Sequence, residues 1–93
     1  MTDVPPDVDS VLTQLFDEGR KAFERGEVAT GVSAVTSAGT VARHKLPESP
    51  LRERLLHGCE RVETVATAPD DDHAVAAEYV AAMERRLADE TTE

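Results

Sequence analysis

An all-α fold of four helices, arranged as an up-and-down bundle or as two stacked helical hairpins, follows from three observations. Apolar residues recur at three- and four-residue steps in four separate stretches. Each stretch is bounded by start or stop signals: Gly26, Pro47, the pair Ser49 and Pro50, and the run from Pro69 to His73. The links between stretches are short, which makes consecutive helices antiparallel neighbours. The chain has 93 residues, the length of one small domain near the lower limit for a self-sufficient core. Residues 1–7 read as an extended lead-in and residues 90–93 as a frayed tail.

The first helix is predicted from Val8, with Asp7 or Asp9 as its N-cap after the paired prolines. Val8, Val11, Leu12, Leu15, Phe16, Gly19, Ala22 and Phe23 fall on one arc, and Asp9, Asp17, Arg20, Lys21 and Glu24 on the other. Gly26 ends it. The third helix starts with Ser49 as cap and Pro50 as its first residue, and buries Leu51, Leu55, Cys59 and Val62 on its way to about Ala66. The fourth follows Asp70 or Asp71 as cap, with Ala76, Tyr79, Val80, Met83 and Leu87 as its apolar stripe.

The second stretch is the unusual one. From Val28 to Ala42 it carries no charged residue, in a chain where 31% of residues are charged. Val28, Val32, Val35, Gly39 and Ala42 share one helical face, with Thr30, Ser33, Ser37 and Thr40 opposite. A strand is the competing reading, because Val and Thr favour sheets. Arg43, His44 and Lys45 suit a helix C-terminus, where cations meet the negative end of the dipole. A helix without charge needs covering on more than one side. Either it is the middle of the bundle, or its hydroxyl face meets another molecule.

Composition sets the environment. Nineteen acidic residues face ten basic ones, a net charge of −9, and the isoelectric point is near 4.7. Lys21 and Lys45 are the only lysines, and Phe16, Phe23 and Tyr79 the only aromatics. Small apolar side chains bury little area each, at about 25 cal/mol per Å², so the core is thin and self-association would reinforce it. Dense carboxylates hold solvent cations and disfavour nucleic acid, whose binding rests on neutralising phosphates. Nothing approaches the roughly 20 apolar residues of a membrane span, and the N-terminal stretch has no signal-peptide pattern. With Cys59 the single cysteine, no internal disulfide can form, and a cytoplasmic location is expected.

Few residues invite chemistry. His57 and Cys59 lie two apart, about 200° around a helix, and cannot share a ligand. Glu53, His57 and Glu60 fall on one line at i, i+4 and i+7, the spacing of half a bundle metal site. That line lies opposite Leu51, Leu55 and Val62 and should face water. Leu56 flanks it beyond the main stripe, which favours a contact there. The acidic run before His73 reads as helix-capping residues, and the cations around His44 are too few for a nucleic-acid footprint. There is no phosphate loop, nucleophile elbow or His-Glu-x-x-His motif. No cofactor is expected.

Leu15, Gly19, Phe23, Gly26, Val28 and Ala38 sit where one helical hairpin of the tetratricopeptide type places its apolar and small residues, with Gly31 for the usual Ala. The stretch from Leu15 to Ala38 therefore resembles such a hairpin, although Val35 replaces an aromatic and no second copy follows. The turn "FERGE", Phe23 to Glu27, followed by a small-residue helix, is similar to one in an archaeal family of short helical proteins of unknown function. The acidic, lysine-poor composition resembles that of haloarchaeal proteins. These resemblances imply a packing unit for protein–protein contact and carry over no catalytic residue. The expectation is a small interaction or scaffold module that self-associates as a homodimer or meets another protein, with Thr30, Ser33, Ser37, Thr40 and Leu56 as candidate interface. The rival is a metal-binding or enzymatic bundle using Glu53, His57 and Glu60.

Dialysis into low salt, where carboxylates repel across roughly 30 Å at 0.01 M, is expected to reduce the helical circular-dichroism signal. Potassium chloride should restore it. A signal indifferent to salt would contradict the reading of the acidic surface.

Overall fold

The computed structural model describes residues 4–68 and 72–91. Four helices run in order: α1 (Pro6–Glu24), α2 (Val28–Lys45), α3 (Pro50–Ala66) and α4 (His73–Thr91). Each packs on the helix before and after it, and α1 closes the ring against α4. The result is an up-and-down four-helix bundle, and α2 is a helix throughout.

Local chemistry explains the ends. α1 begins earlier than the sequence suggests, because Pro5 is extended and Pro6 takes the first helical position, where a missing N–H costs nothing. Asp7 and Asp9 are therefore not caps. They lie inside the first turn, where the helix dipole favours negative charge. At the other end Gly26 has φ 79°, and the Glu27 and Gly26 amides donate to the Ala22 and Phe23 carbonyls at 2.8 and 3.0 Å. This double closure is a Schellman turn, which glycine enters without a Cβ penalty. Ser49 caps α3 as expected, its Oγ accepting from the Arg52 amide at 3.2 Å. Asp70 and Asp71 lie outside the described residues. Asp72 performs the capping of α4, its Oδ1 accepting from the Val75 amide at 3.3 Å. α4 continues to Thr91, into the segment expected to fray.

The core runs along the bundle axis. α1 contributes Val8, Leu12, Phe16 and Phe23, and α2 contributes Val35, Ala38 and Ala42. Leu51, Leu55, Cys59 and Val62 face them from α3, with Ala76, Val80, Met83 and Leu87 from α4. Because α2 supplies small residues, its neighbours come close. A side chain at Gly31 would place its Cβ 2.7 Å from the Phe23 ring, and one at Gly19 would meet Val35 at 3.1 Å. The complete burial of Phe23, one of two fully buried phenylalanines, is thus built on the absence of a side chain at position 31.

Polar ties hold the outer seams. Arg20 of α1 donates through Nε to Glu84 of α4 at 2.6 Å and through Nη2 to Asp17 at 2.6 Å. The Glu84 hydrogen bond raises the Arg20 pKa, and a hydrogen bond from Lys21, aided by the Arg20 charge, lowers that of Asp17. His73 Nδ1 lies 3.0 Å from the Phe23 carbonyl, tying the start of α4 to the end of α1. Between α2 and α3, Thr36 donates to Glu63 at 2.8 Å and Arg52 to the Arg43 carbonyl at 3.3 Å.

Gly31→Ala is expected to destabilise the fold by about 1–3 kcal/mol through overpacking against Phe23, despite Ala's helix preference of about 1 kcal/mol. Gly58→Ala would meet Met83 Sδ at 2.5 Å, but a thioether can rotate aside, and less than about 1 kcal/mol is expected. Urea unfolding of both variants in the same salt measures the contrast, and equal losses would contradict this packing.

Candidate functional site

The outward face of α2 forms from helix register alone. Gly31, Val35, Ala38, Gly39 and Ala42 are buried toward α1 and α3, so Thr30, Ser33, Ser37 and Thr40 turn to solvent, and all four are exposed. This corrects one expectation. α2 is not the middle of the bundle, because it has two packing neighbours like every other helix of the ring. Its inner face is also shifted: Gly31 and Ala38 are buried, while Val28 and Val32 are only partly covered.

Shallow depressions run along both flanks of the strip. One, of about 460 Å³, lies against α1 and is lined by Leu15, Glu18, Ala29, Thr30, Ser33, Ala34 and Ser37. The other, of about 160 Å³, lies against α3 and takes in Thr40 and Leu56 with Thr36, Arg43 and Glu60. The five candidate interface residues therefore divide between the two flanks. Thr40 Oγ1 donates to its own helix at the Thr36 carbonyl, 3.1 Å away. The hydroxyls of Thr30, Ser33 and Ser37 make none of the described hydrogen bonds and are open to an outside partner. Val11, with 44% exposure the one large hydrophobic residue left exposed among those described, stands one turn before Leu15 on the same edge of α1. The surface offers hydrogen-bonding hydroxyls and small or apolar side chains, with no nucleophile–base pair.

The carboxylate–histidine line does not assemble. Glu53, His57 and Glu60 are exposed, as their register predicts. Glu53 and His57 border a groove between α3 and α4, whereas Glu60 borders the cleft toward α2. Among the described residues no three His, Cys, Asp or Glu side chains come together to hold a metal. His44 is exposed beside Arg43 and Lys45 at the α2 C-terminus. Cys59 is buried at 4% exposure and packs beside Gly39. Burial, reinforced by the Glu63 charge, pushes its thiol up to about 12, so it acts as a small hydrophobe.

The α3–α4 groove is the feature that the sequence reading missed. Its rim carries Arg54, Arg61 and Arg86 around an apolar floor. A sequence signal existed: Arg54 and Arg61 are seven apart, and neither has a carboxylate three or four residues away.

The architecture and surface define a small all-α bundle built around an apolar core. The chain belongs to the DUF8101 family, described as a domain of unknown function, whose model matches residues 1–89. That match spans nearly the whole chain, where the tetratricopeptide-like pattern covers Leu15 to Ala38 alone. No curated protein and no solved structure matches it significantly. No described helix is long and apolar enough to cross a membrane.

Cys59 is expected to resist iodoacetamide in the folded chain near about pH 8, since the thiolate is the nucleophile, and to react once urea unfolds it. An unfolded thiol releases its proton near 9.0 and the folded one near 12. Between these values the unfolded state binds fewer protons, so stability falls as pH rises, by at most about 1.4 kcal/mol per pH unit. Denaturant unfolding from about pH 8 to 10 should show this slope reduced in Cys59→Ala. Identical slopes would contradict the burial assigned to the thiol.

Proposed function

We propose that this protein is a small interaction module that self-associates through the outward face of α2 and the adjoining edge of α1. The observation that carries the reading is the charge-free run from Val28 to Ala42 on a helix with two packing neighbours, like every other helix of the ring, and an exposed outward face. A face that only met water would have no need to exclude charge in a chain so rich in it.

Electrostatics gives the preference a direction. Two copies at −9 each repel, and like charges brought face to face cost several kcal/mol at an interface. The α2 strip has no carboxylate of its own, and Glu18, Glu60 and Glu63 stand only at its borders. It is therefore where two copies can approach with least repulsion. Small side chains at Ala29, Ser33, Ala34 and Ser37 permit close backbone approach, while Val11 and Leu15 supply apolar area beside them. A twofold pair through this face would be isologous, each strip meeting its own copy.

Analytical ultracentrifugation in molar potassium chloride should show a concentration-dependent dimer. Ser37→Glu places a carboxylate on each side of the contact and should weaken it at least about tenfold, equivalent to about 1.4 kcal/mol, whereas Ser37→Ala should leave it nearly unchanged. A strictly monomeric wild-type chain, or a Ser37→Glu dimer of undiminished strength, would remove this face from consideration.

A further inference from the structure

The α3–α4 groove holds about 600 Å³ and is lined by Glu53, Arg54, Leu55, His57, Gly58, Arg61, Tyr79, Ala82, Met83 and Arg86. Its floor exists because Gly58 has no side chain, so that Met83 can lie directly over the α3 backbone. Arg54 and Arg61 stand on one wall, and Tyr79 and Arg86 on the other.

The charge of this groove runs against that of the molecule. The described ion pairs engage Arg20, Lys21, Arg25 and Arg52, all with carboxylates of the same chain. They do not include Arg54, Arg61 or Arg86. Glu53, the one acidic residue of the lining, is paired with Arg52 at 3.2 Å. In a chain with nearly twice as many acids as bases, three guanidinium groups around one apolar floor, outside those internal pairs, form a basic site set in an acidic surface.

We infer that this groove is a docking site for an acidic amphipathic helix of a partner protein, whose carboxylates meet Arg54, Arg61 and Arg86 while its apolar residues lie on Tyr79, Ala82 and Gly58. Three features select that occupant. Positive rims on an apolar floor match a helix with acids flanking a hydrophobic stripe, the helix-in-groove mode of recognition. Arg54 and Arg61 are two turns apart, about 10 Å along α3, so an occupant with acids at i and i+7 can reach both. The groove is open to solvent, whereas small-molecule pockets enclose most of the ligand surface. Nucleic acid is disfavoured by the net charge and by the small number of cations. The site lies on other helices than the α2 strip, so it stands or falls independently of self-association.

The test is an amide-resolved NMR titration of the full chain at the lowest potassium chloride concentration that preserves its helical signal. The probe is a synthetic helical peptide with Glu at i, i+3 and i+7 around leucines. Controls are the same peptide with Gln at those positions, and citrate as a small polyanion. Saturable shifts confined to Arg54–Arg61 and Tyr79–Arg86 are expected, with the Gln peptide at least about tenfold weaker. The exposed pair Arg54→Glu and Arg86→Glu together should abolish binding, with circular dichroism confirming the fold. Arg85→Glu, outside the lining, should bind as wild type does. Absence of saturable shifts, shifts on α2 instead, equal affinity for the Gln peptide, or equal occupancy by citrate would each overturn the assignment.

Discussion

The close approach of α1 and α2 governs the rest of this bundle. The Phe23 ring occupies the space that a side chain at position 31 would need, and Gly19 admits Val35 from the other direction. Two helices that meet through glycine and alanine cannot rotate about their axes without losing that fit, because interiors are close-packed and even one methylene is felt. The rotation of α2 is thereby fixed. Gly31, Val35, Ala38 and Ala42 must point inward, and Thr30, Ser33 and Ser37 must point out. The same contact draws the ends of the helices together, where the Schellman turn at Gly26 reverses the chain with no spare residue.

The other three seams are built differently. Between α1 and α4, Arg20 bridges to Glu84, and His73 meets the Phe23 carbonyl. Between α2 and α3, Thr36 and Arg52 reach across to Glu63 and to the Arg43 carbonyl. Between α3 and α4 the contact is Met83 laid over Gly58, and no cross-seam ion pair is described there. The seam closed by a flexible thioether is also the one that opens into the largest described groove. Packing and surface are thus one arrangement: where glycine and alanine bring α1 and α2 together a shallow depression of about 460 Å³ is left, and where Met83 lies over Gly58 a furrow of about 600 Å³.

Acidity shapes both candidate surfaces by contrast. On a molecule of net charge −9, a strip without carboxylates and a furrow ringed by arginines are the two departures from the general field. The first lowers the repulsion that the proposed pairing of two copies would meet, and the second supplies the attraction on which the proposed acidic partner would rest.

Much of this could be read one residue at a time. The buried positions of α1 and α3 follow the three- and four-residue spacing of Leu12, Phe16, Phe23, Leu51, Leu55 and Val62, since an amphipathic period is a local property of the chain. Ser49 with Pro50, Gly26 and the exposed line of Glu53, His57 and Glu60 were legible for the same reason. The start of α1 was misplaced because two prolines and two aspartates within five residues offer competing signals, and only the extended backbone of Pro5 decides between them. What the sequence could not supply is the company each helix keeps. Whether the charge-free α2 lay inside or at the rim depends on how four helices close into a ring. That Arg86 of α4 stands across a furrow from α3 depends on contacts between residues far apart in the chain. Periodicity tells which face of a helix is buried, but it carries no information about which neighbour buries it, and that was settled only by the tertiary packing of glycine against phenylalanine and methionine.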